Sequence, residues 1–308
     1  MPLPSEQATV DTGRQLLSTL QGIFGPHPGY RPAHAKGILL KGSFTPTNEA
    51  ASLSAAPHFH RESTPIIARF SSSGGLPELP DTDPNGNPRG LAVRFLLEES
   101  PRRVHTDIIT HSTPFFPAKD GPEALAFFRS VANGTIAEFL TTHPAALAFV
   151  QAPKPFPASF ATDKYFGVNA FKLVSEEGKE TFIRYRIAPR AGESYLDDDE
   201  AKTKSPAYLF DAVPGLLAHG SIEFDLEAQV ADEGDVTDDC TVHWPDHRRV
   251  VKLGVISLVS VVEDNLSEQK RIIFDPVPRV NGIEPSEDPL IDVRAAVYLI
   301  SGRERRAA

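Results

Sequence analysis

The chain has a single cysteine, Cys240, among its 308 residues. An internal disulfide and a cysteine-built zinc cluster are therefore both excluded. A lone thiol fits a reducing compartment. Positive charge is also short: 31 Lys and Arg stand against 41 Asp and Glu, a formal net charge of -10. That balance argues against non-specific nucleic-acid binding, which needs basic surface to displace counterions. No apolar run reaches the roughly 18–20 residues of a spanning helix, so no membrane helix is expected. The first residues, "MPLPSEQATVDTGRQLLSTL", lack a basic segment followed by an apolar one, so no signal peptide is expected. Walker A, GxGxxG and GxSxG patterns are missing, which removes the common phosphate-cradle and serine-hydrolase readings. The expectation is a cytoplasmic protein with neither nucleic-acid nor membrane partners.

What is there is ordinary globular material, 40% hydrophobic and 23% charged, in a chain long enough to bury a sizeable core. Twenty-eight prolines point to many extended or loop segments. After a short leading helix over 6–22, β-rich segments follow, bounded by Pro, Asn, Asp and Gly: "HAKGILLKGSFTPT", "PIIARFSSS", "LAVRFLLEE" and "HTDIITHS". A helical section comes next, in "GPEALAFFRSVANG" and "TIAEFLTTHPAALAFV", the second broken at Pro144. "AFKLVSEEGKETFIRYRIAP" reads as a hairpin turning at Glu177 and Gly178. "SIEFDLEAQVA" and "RVVKLGVISLVSVVE" are further strands, and "EDPLIDVRAAVYLISGRERR" is a terminal helix. Strands followed by grouped helices, with no composition boundary between them, imply one α+β domain built on an antiparallel sheet or barrel.

Chemistry-bearing residues are spread along this pattern. Arg294 and Tyr298 are four apart on the terminal helix and share a face. An arginine in an apolar stripe needs a partner for its charge, either that tyrosine or a carboxylate elsewhere. Arg69 and Ser71 share one face of a strand, both into a barrel or both out of it. Arg89 sits at a turn, Arg94 in a strand, and His111 within a β segment. His34, between an arginine and a lysine, reads alone either as a surface histidine or as a base. "HFH" at 58–60 puts two histidines on one strand face, without a third metal ligand nearby. "HWPDH" at 243–247 reads as a turn.

In order, "RPAHAKG", "GSFTPT", "TPIIARFSS", "NPRGLAVRF", "STPFF", "IIFDPVPRVNGIEPSEDPL" and "RAAVY" resemble the haem catalase family. More narrowly the chain resembles its minimal members, the catalase-related haem peroxidases, from about residue 30 to 306. The resemblance implies a catalase-like eight-stranded antiparallel β-barrel with flanking helices, expected to lack the C-terminal helical domain of full catalases. It implies one haem-binding domain over residues 1–308, with 1–29 as an N-terminal extension. It implies haem b, with Tyr298 as the axial iron ligand and Arg294 bonded to its phenolate. Arg31, Arg69 and Arg305 fall on the arginines that hold the propionates. His34 falls on the distal histidine that moves a proton between the oxygens of peroxide, and Ser71 on the serine that orients it.

Two positions depart from the catalase pattern. His111 stands where catalases carry a distal asparagine, and Ala33 where valine usually narrows the channel. Both changes favour peroxide reduction by a small organic electron donor over disproportionation. The expectation is a haem peroxidase with weak catalase activity at most, assembled as a homodimer. The alternatives are a hydroperoxide isomerase or dehydratase of the allene oxide synthase type, and a haem-binding protein without turnover.

Overall fold

A computed structural model describes residues 2–308. Eight strands close a barrel in simple chain order. They are β1 (Gly37–Pro46), β2 (Thr64–Ser72), β3 (Arg89–Glu98) and β4 (Val104–His111), followed by β5 (Tyr165–Phe166), β6 (Glu180–Pro189), β7 (Ile222–Val230) and β8 (Val250–Val261). Each pairs antiparallel with the next. β8 pairs back onto β1 and closes the ring, with β4 and β5 joined at the single pair His111–Phe166. β5 is missing from the sequence reading because two residues are too few to show alternation.

Alternation builds the interior. Ile66, Ala68 and Phe70 of β2, Leu91, Val93 and Phe95 of β3, and Phe224 and Leu226 of β7 join one buried core. Aromatic contacts fill it: Phe70 stacks on Phe160 at 4.8 Å, and Phe44 meets Phe95 edge-on at 5.1 Å. The expected hairpin forms, with Gly178 at φ 79° in its turn. Only its second arm, β6, belongs to the barrel; the first, Phe171–Val174, lies outside and carries the short strand Ile283–Pro285 on its far edge.

Helices cover one outer side. The leading helix Gln7–Phe24 packs against both Gly121–Ala132 and the terminal helix Leu290–Ala307. The section read as one broken helix is two, Ile136–Leu140 and Pro144–Gln151, because Pro144 starts the second at its first turn, where its missing N–H costs nothing. "HFH" is a correction. Pro57 opens a 3-10 turn, Pro57–Phe59, so the two histidines do not share a strand face. His58 is buried against Phe59 and Phe95, while His60 bonds the Ser54 carbonyl. Among the described residues, no group of three metal-ligating side chains assembles.

Candidate active site

All eight site residues named from the sequence line one cavity of about 410 Å³ between the outer face of the barrel and its helical cover. Ala33 lines it too. Strand register does much of the gathering. Gly37 of β1 pairs with Ser71 of β2, Ser71 with Gly90 of β3, and Gly90 with His111 of β4. One row across four strands thus alternates a functional side chain with a glycine. The glycines are required: a Cβ on Gly90 would stand 2.7 Å from Ser71 Oγ and 2.9 Å from His34 Nδ1. A Cβ on Gly37 would run into the Arg69 guanidinium.

His34 enters from the segment before β1. It is the one non-glycine residue with positive φ among the described residues, at 55°, a conformation that costs free energy and marks functional segments. Its backbone N–H donates to the Ser73 carbonyl, and its Nδ1 lies 3.0 Å from Ser71 Oγ. With Nδ1 tied to the hydroxyl, Nε2 is left for the cavity. Burial, together with the positive charges of Arg69 and Arg31, pushes its pKa down to about 3, so the ring is neutral at ordinary pH.

Arg31, Arg69 and Arg305 converge from three different elements. Arg31 donates to the Gln269 and Ile272 carbonyls at 3.2 and 3.1 Å. Arg69 donates from Nε to Gln269 Oε1 at 2.8 Å and from a terminal nitrogen to the His34 carbonyl at 2.9 Å. Arg305 donates to Ser301 Oγ and to the Ile272 carbonyl, while its Nε is buried without a partner. No Asp or Glu lines the cavity, and none of the three arginines makes an ion pair among the described residues. The consequence is electrostatic. Burial and then Arg305 lower Arg69 to about 9, and Arg31 lies well below its ordinary value through burial, Arg69 and Arg305. Three cations, Arg69 and Arg305 buried and Arg31 half-buried, gather without a counter-ion and can receive anionic groups.

The terminal helix supplies the other wall. Arg294 donates to Tyr298 at 3.4 Å, its guanidinium 5.6 Å from the ring centre, and a second nitrogen donates to Asn169. Asn169 in turn donates to Asp288 at 2.7 Å. Burial opposes the charge on Arg294, yet Tyr298, Cys240 and Asp288 outweigh it and hold the pKa above its ordinary value. The charge partner sought from the sequence is thus a phenol at first hand and a carboxylate at second hand.

His111 faces the cavity with both ring nitrogens buried and unpartnered. Burial, then Arg294 and Lys154, take its pKa down to about 3. Arg89 and Arg94 do not join these residues as ligands. Arg94 forms a two-pronged pair with Asp107 at 2.8 and 2.6 Å, and Arg89 bonds Ser72 and the Asp81 carbonyl. Sequence reasoning missed Gln269, Asn169 and Asp288, the polar side chains behind the arginines. It also missed the two glycines, although a glycine inside a strand pattern is itself a signal of close approach.

The sequence model of the family described as Catalase matches residues 28–308. A catalase-related peroxidase of Mycolicibacterium paratuberculosis is 32% identical, over 96% of this chain and 95% of its own. One from Synechococcus elongatus is 31% identical, over 97% and 90%. A Triticum aestivum catalase is 29% identical over 89% of this chain, which spans 60% of that protein. Among solved structures, catalase A of Saccharomyces cerevisiae superposes with a TM-score of 0.80 at 22% identity, covering 94% of this chain and 64% of that one. A fungal catalase superposes at 0.81 with 22% identity, covering 94% and 62%.

Proposed function

The chain belongs to the catalase family, whose members act on peroxide, and from there we propose that it is a haem b peroxidase. It reduces hydrogen peroxide or an organic hydroperoxide with a small organic electron donor, and releases oxygen from peroxide weakly at most. Residues 1–308 act as one domain. Leu16, Leu20 and Phe24 line the cavity, which supports counting the leading helix within that domain.

Catalase family proteins bind haem, and the cavity suits that group. Arg31, Arg69 and Arg305 would take its propionates, which supply the anions that three cations without counter-ions call for. Tyr298 would be the axial ligand, with Arg294 stabilising the phenolate that ligation demands. When bound, the haem supplies the redox-active iron at which the O–O bond is cleaved.

The chain's own residues supply proton handling and orientation. Donating Nδ1–H to Ser71 Oγ leaves the His34 Nε2 lone pair free to take the proton of the nearer peroxide oxygen. Nε2 then returns that proton to the farther oxygen, which leaves as water. Such positioned transfer is worth ~10²–10⁴-fold, and a ring that stays neutral at ordinary pH is ready as the base. Ser71 and the left-handed backbone of His34 hold the ring in place. His111 is bulkier than an amide, and Ala33 leaves room beside His34. Together they suit a donor better than a second peroxide held for disproportionation.

The observation that carries this reading is the shared cavity of the His34–Ser71 pair, the Arg294–Tyr298 pair and three uncompensated arginines. The test is to load the protein with haem and measure oxygen release beside oxidation of an aromatic donor. Donor oxidation dominating, and a Tyr298→Phe variant with an altered haem spectrum, are the expected results. Rapid oxygen release, or an unaltered spectrum in Tyr298→Phe, would overturn it. Conversion of a lipid hydroperoxide without donor oxidation would put the isomerase reading in its place.

A further inference from the structure

We propose that Gln269 is a positioning residue for the arginine cluster: it orients Arg69 towards the cavity and, being neutral, keeps the cluster's charge available to a dianionic porphyrin. The inference rests on the reading that Arg31, Arg69 and Arg305 receive the propionates, and it names the residue that sets two of them. Gln269 does not line the cavity itself. It lies half-buried on the helix Asn265–Arg271, behind the cluster, and acts from there.

A guanidinium has five N–H bonds, and those of Arg69 can all be accounted for. Nε donates to Gln269 Oε1 at 2.8 Å, and Nη2 donates to the His34 and Ala35 carbonyls at 2.9 and 3.3 Å. The two N–H bonds of Nη1 are left over. Unlike the Arg305 Nε, Nη1 is not sealed from solvent, and its side chain lines the cavity. Gln269 therefore holds the occupied edge of the fork away and leaves the free nitrogen for an anion. The main-chain oxygen of the same residue accepts from Arg31 at 3.2 Å. One residue thus holds two of the three cations.

The amide of Gln269 is itself fixed. Its Nε2 donates to the Gly37 carbonyl and to Asn265 Oδ1, both at 2.8 Å. Asn265 in turn bonds both main-chain groups of Leu39, accepting from its N–H at 3.2 Å and donating to its carbonyl at 2.8 Å. Arginine offers no acceptor, so only Oε1 can face Arg69 and the amide has one orientation. A glutamate here would reach the same nitrogen as a carboxylate and become the counter-ion that Arg69 lacks. Burial and then Arg305 already hold the Arg69 pKa down to about 9, a cost that such a pairing would relieve. The neutral side chain orients the cation without cancelling it.

The test loads the protein with haem or with haem dimethyl ester, which lacks both carboxylates, and follows the loss of each to excess apomyoglobin by absorbance. The wild type is expected to lose the diester roughly 10–100-fold faster than haem, the effect of charge-assisted bonds. In Gln269→Glu that ratio is expected to fall about tenfold, because haem leaves faster while the diester leaves at the wild-type rate. An unchanged ratio, or equal acceleration of both porphyrins as damaged packing would give, would overturn the proposal. Should Gln269→Glu not fold, Gln269→Leu keeps the charge of Arg69 and removes only its support. There the ratio should fall roughly fivefold, the effect of about one hydrogen bond, and an unchanged ratio counts against Gln269. A wild type that loses both porphyrins at one rate would sink the propionate reading and the inference with it. A discriminating wild type beside an equally discriminating Gln269→Glu sinks the inference alone.

Discussion

The two faces of β2 differ more than any two distant regions of the molecule. On the inner face Ile66, Ala68 and Phe70 are buried in an aromatic core. On the outer face, one residue over, Arg69 and Ser71 line the cavity. Both faces exclude bulk water, but the inner one is filled by apolar side chains. The outer one holds a cation that bonds only neutral groups and has no counter-ion. Pairs of histidines repeat the contrast. His58 and His34 both have pKa values pushed down to about 3, chiefly by burial. Yet His58 sits among phenylalanines with neither nitrogen bonded, whereas His34 is fixed on Ser71 with Nε2 left for the cavity. A depressed pKa therefore marks burial alone; at His34 the bond to Ser71 and the Nε2 left for the cavity are what set it apart from His58.

Four substitutions separate the faces, and the first is expected to act on the outer face alone. His34→Ala should lower peroxide consumption by the haem-loaded protein ~10²–10⁴-fold without lowering its melting temperature; a loss below tenfold would remove His34 from proton transfer. On the inner face, Phe70→Ala should cost about 3–5 kcal/mol in urea unfolding while the folded fraction keeps its haem spectrum. A spectrum that changes as much as the stability would mean that the faces are not separable.

Arg305→Leu tests the idle cations. Losing a charge-assisted bond should weaken haem binding roughly 10–100-fold, and the haem-free protein should melt no earlier, since burial leaves that charge uncompensated. Earlier melting without haem would show the arginine to be structural.

The smallest effect is that of His58→Leu. The His58 pKa is lower folded than unfolded, so between pH 6.5 and about 3 the unfolded chain binds a proton that the native state refuses. Stability from this residue is thus lost as pH falls. From pH 7.5 to 5.5 the wild type should lose roughly 1.4 kcal/mol more than the variant, read from unfolding curves at both pH values. Equal losses would show that His58 finds a partner.

Much of the molecule was legible before any coordinates. Alternation in "PIIARFSSS" or "SIEFDLEAQVA" is a local property, and so is the four-residue spacing that sets Arg294 beside Tyr298 on one helix face. Residue type went further: an arginine in an apolar stripe announced a partner, though not Asn169 and Asp288, which stand 125 and 6 positions away along the chain. "HFH" misled because Pro57 overrides the strand reading from outside the motif.

What chain order could not decide is register. Ser71, Gly90 and His111 fall in one row only because the barrel closes with β8 on β1 and each pairing is thereby set. Likewise Gln269 reaches Arg31 and Arg69 only after the segment that follows β8 folds back over β1. The sequence by itself determined the elements, their faces and the kinds of chemistry they carry, since those depend on neighbours a few residues apart. The tertiary structure alone decided which polar atoms are left without partners in the cavity, because that depends on every other pairing in the fold.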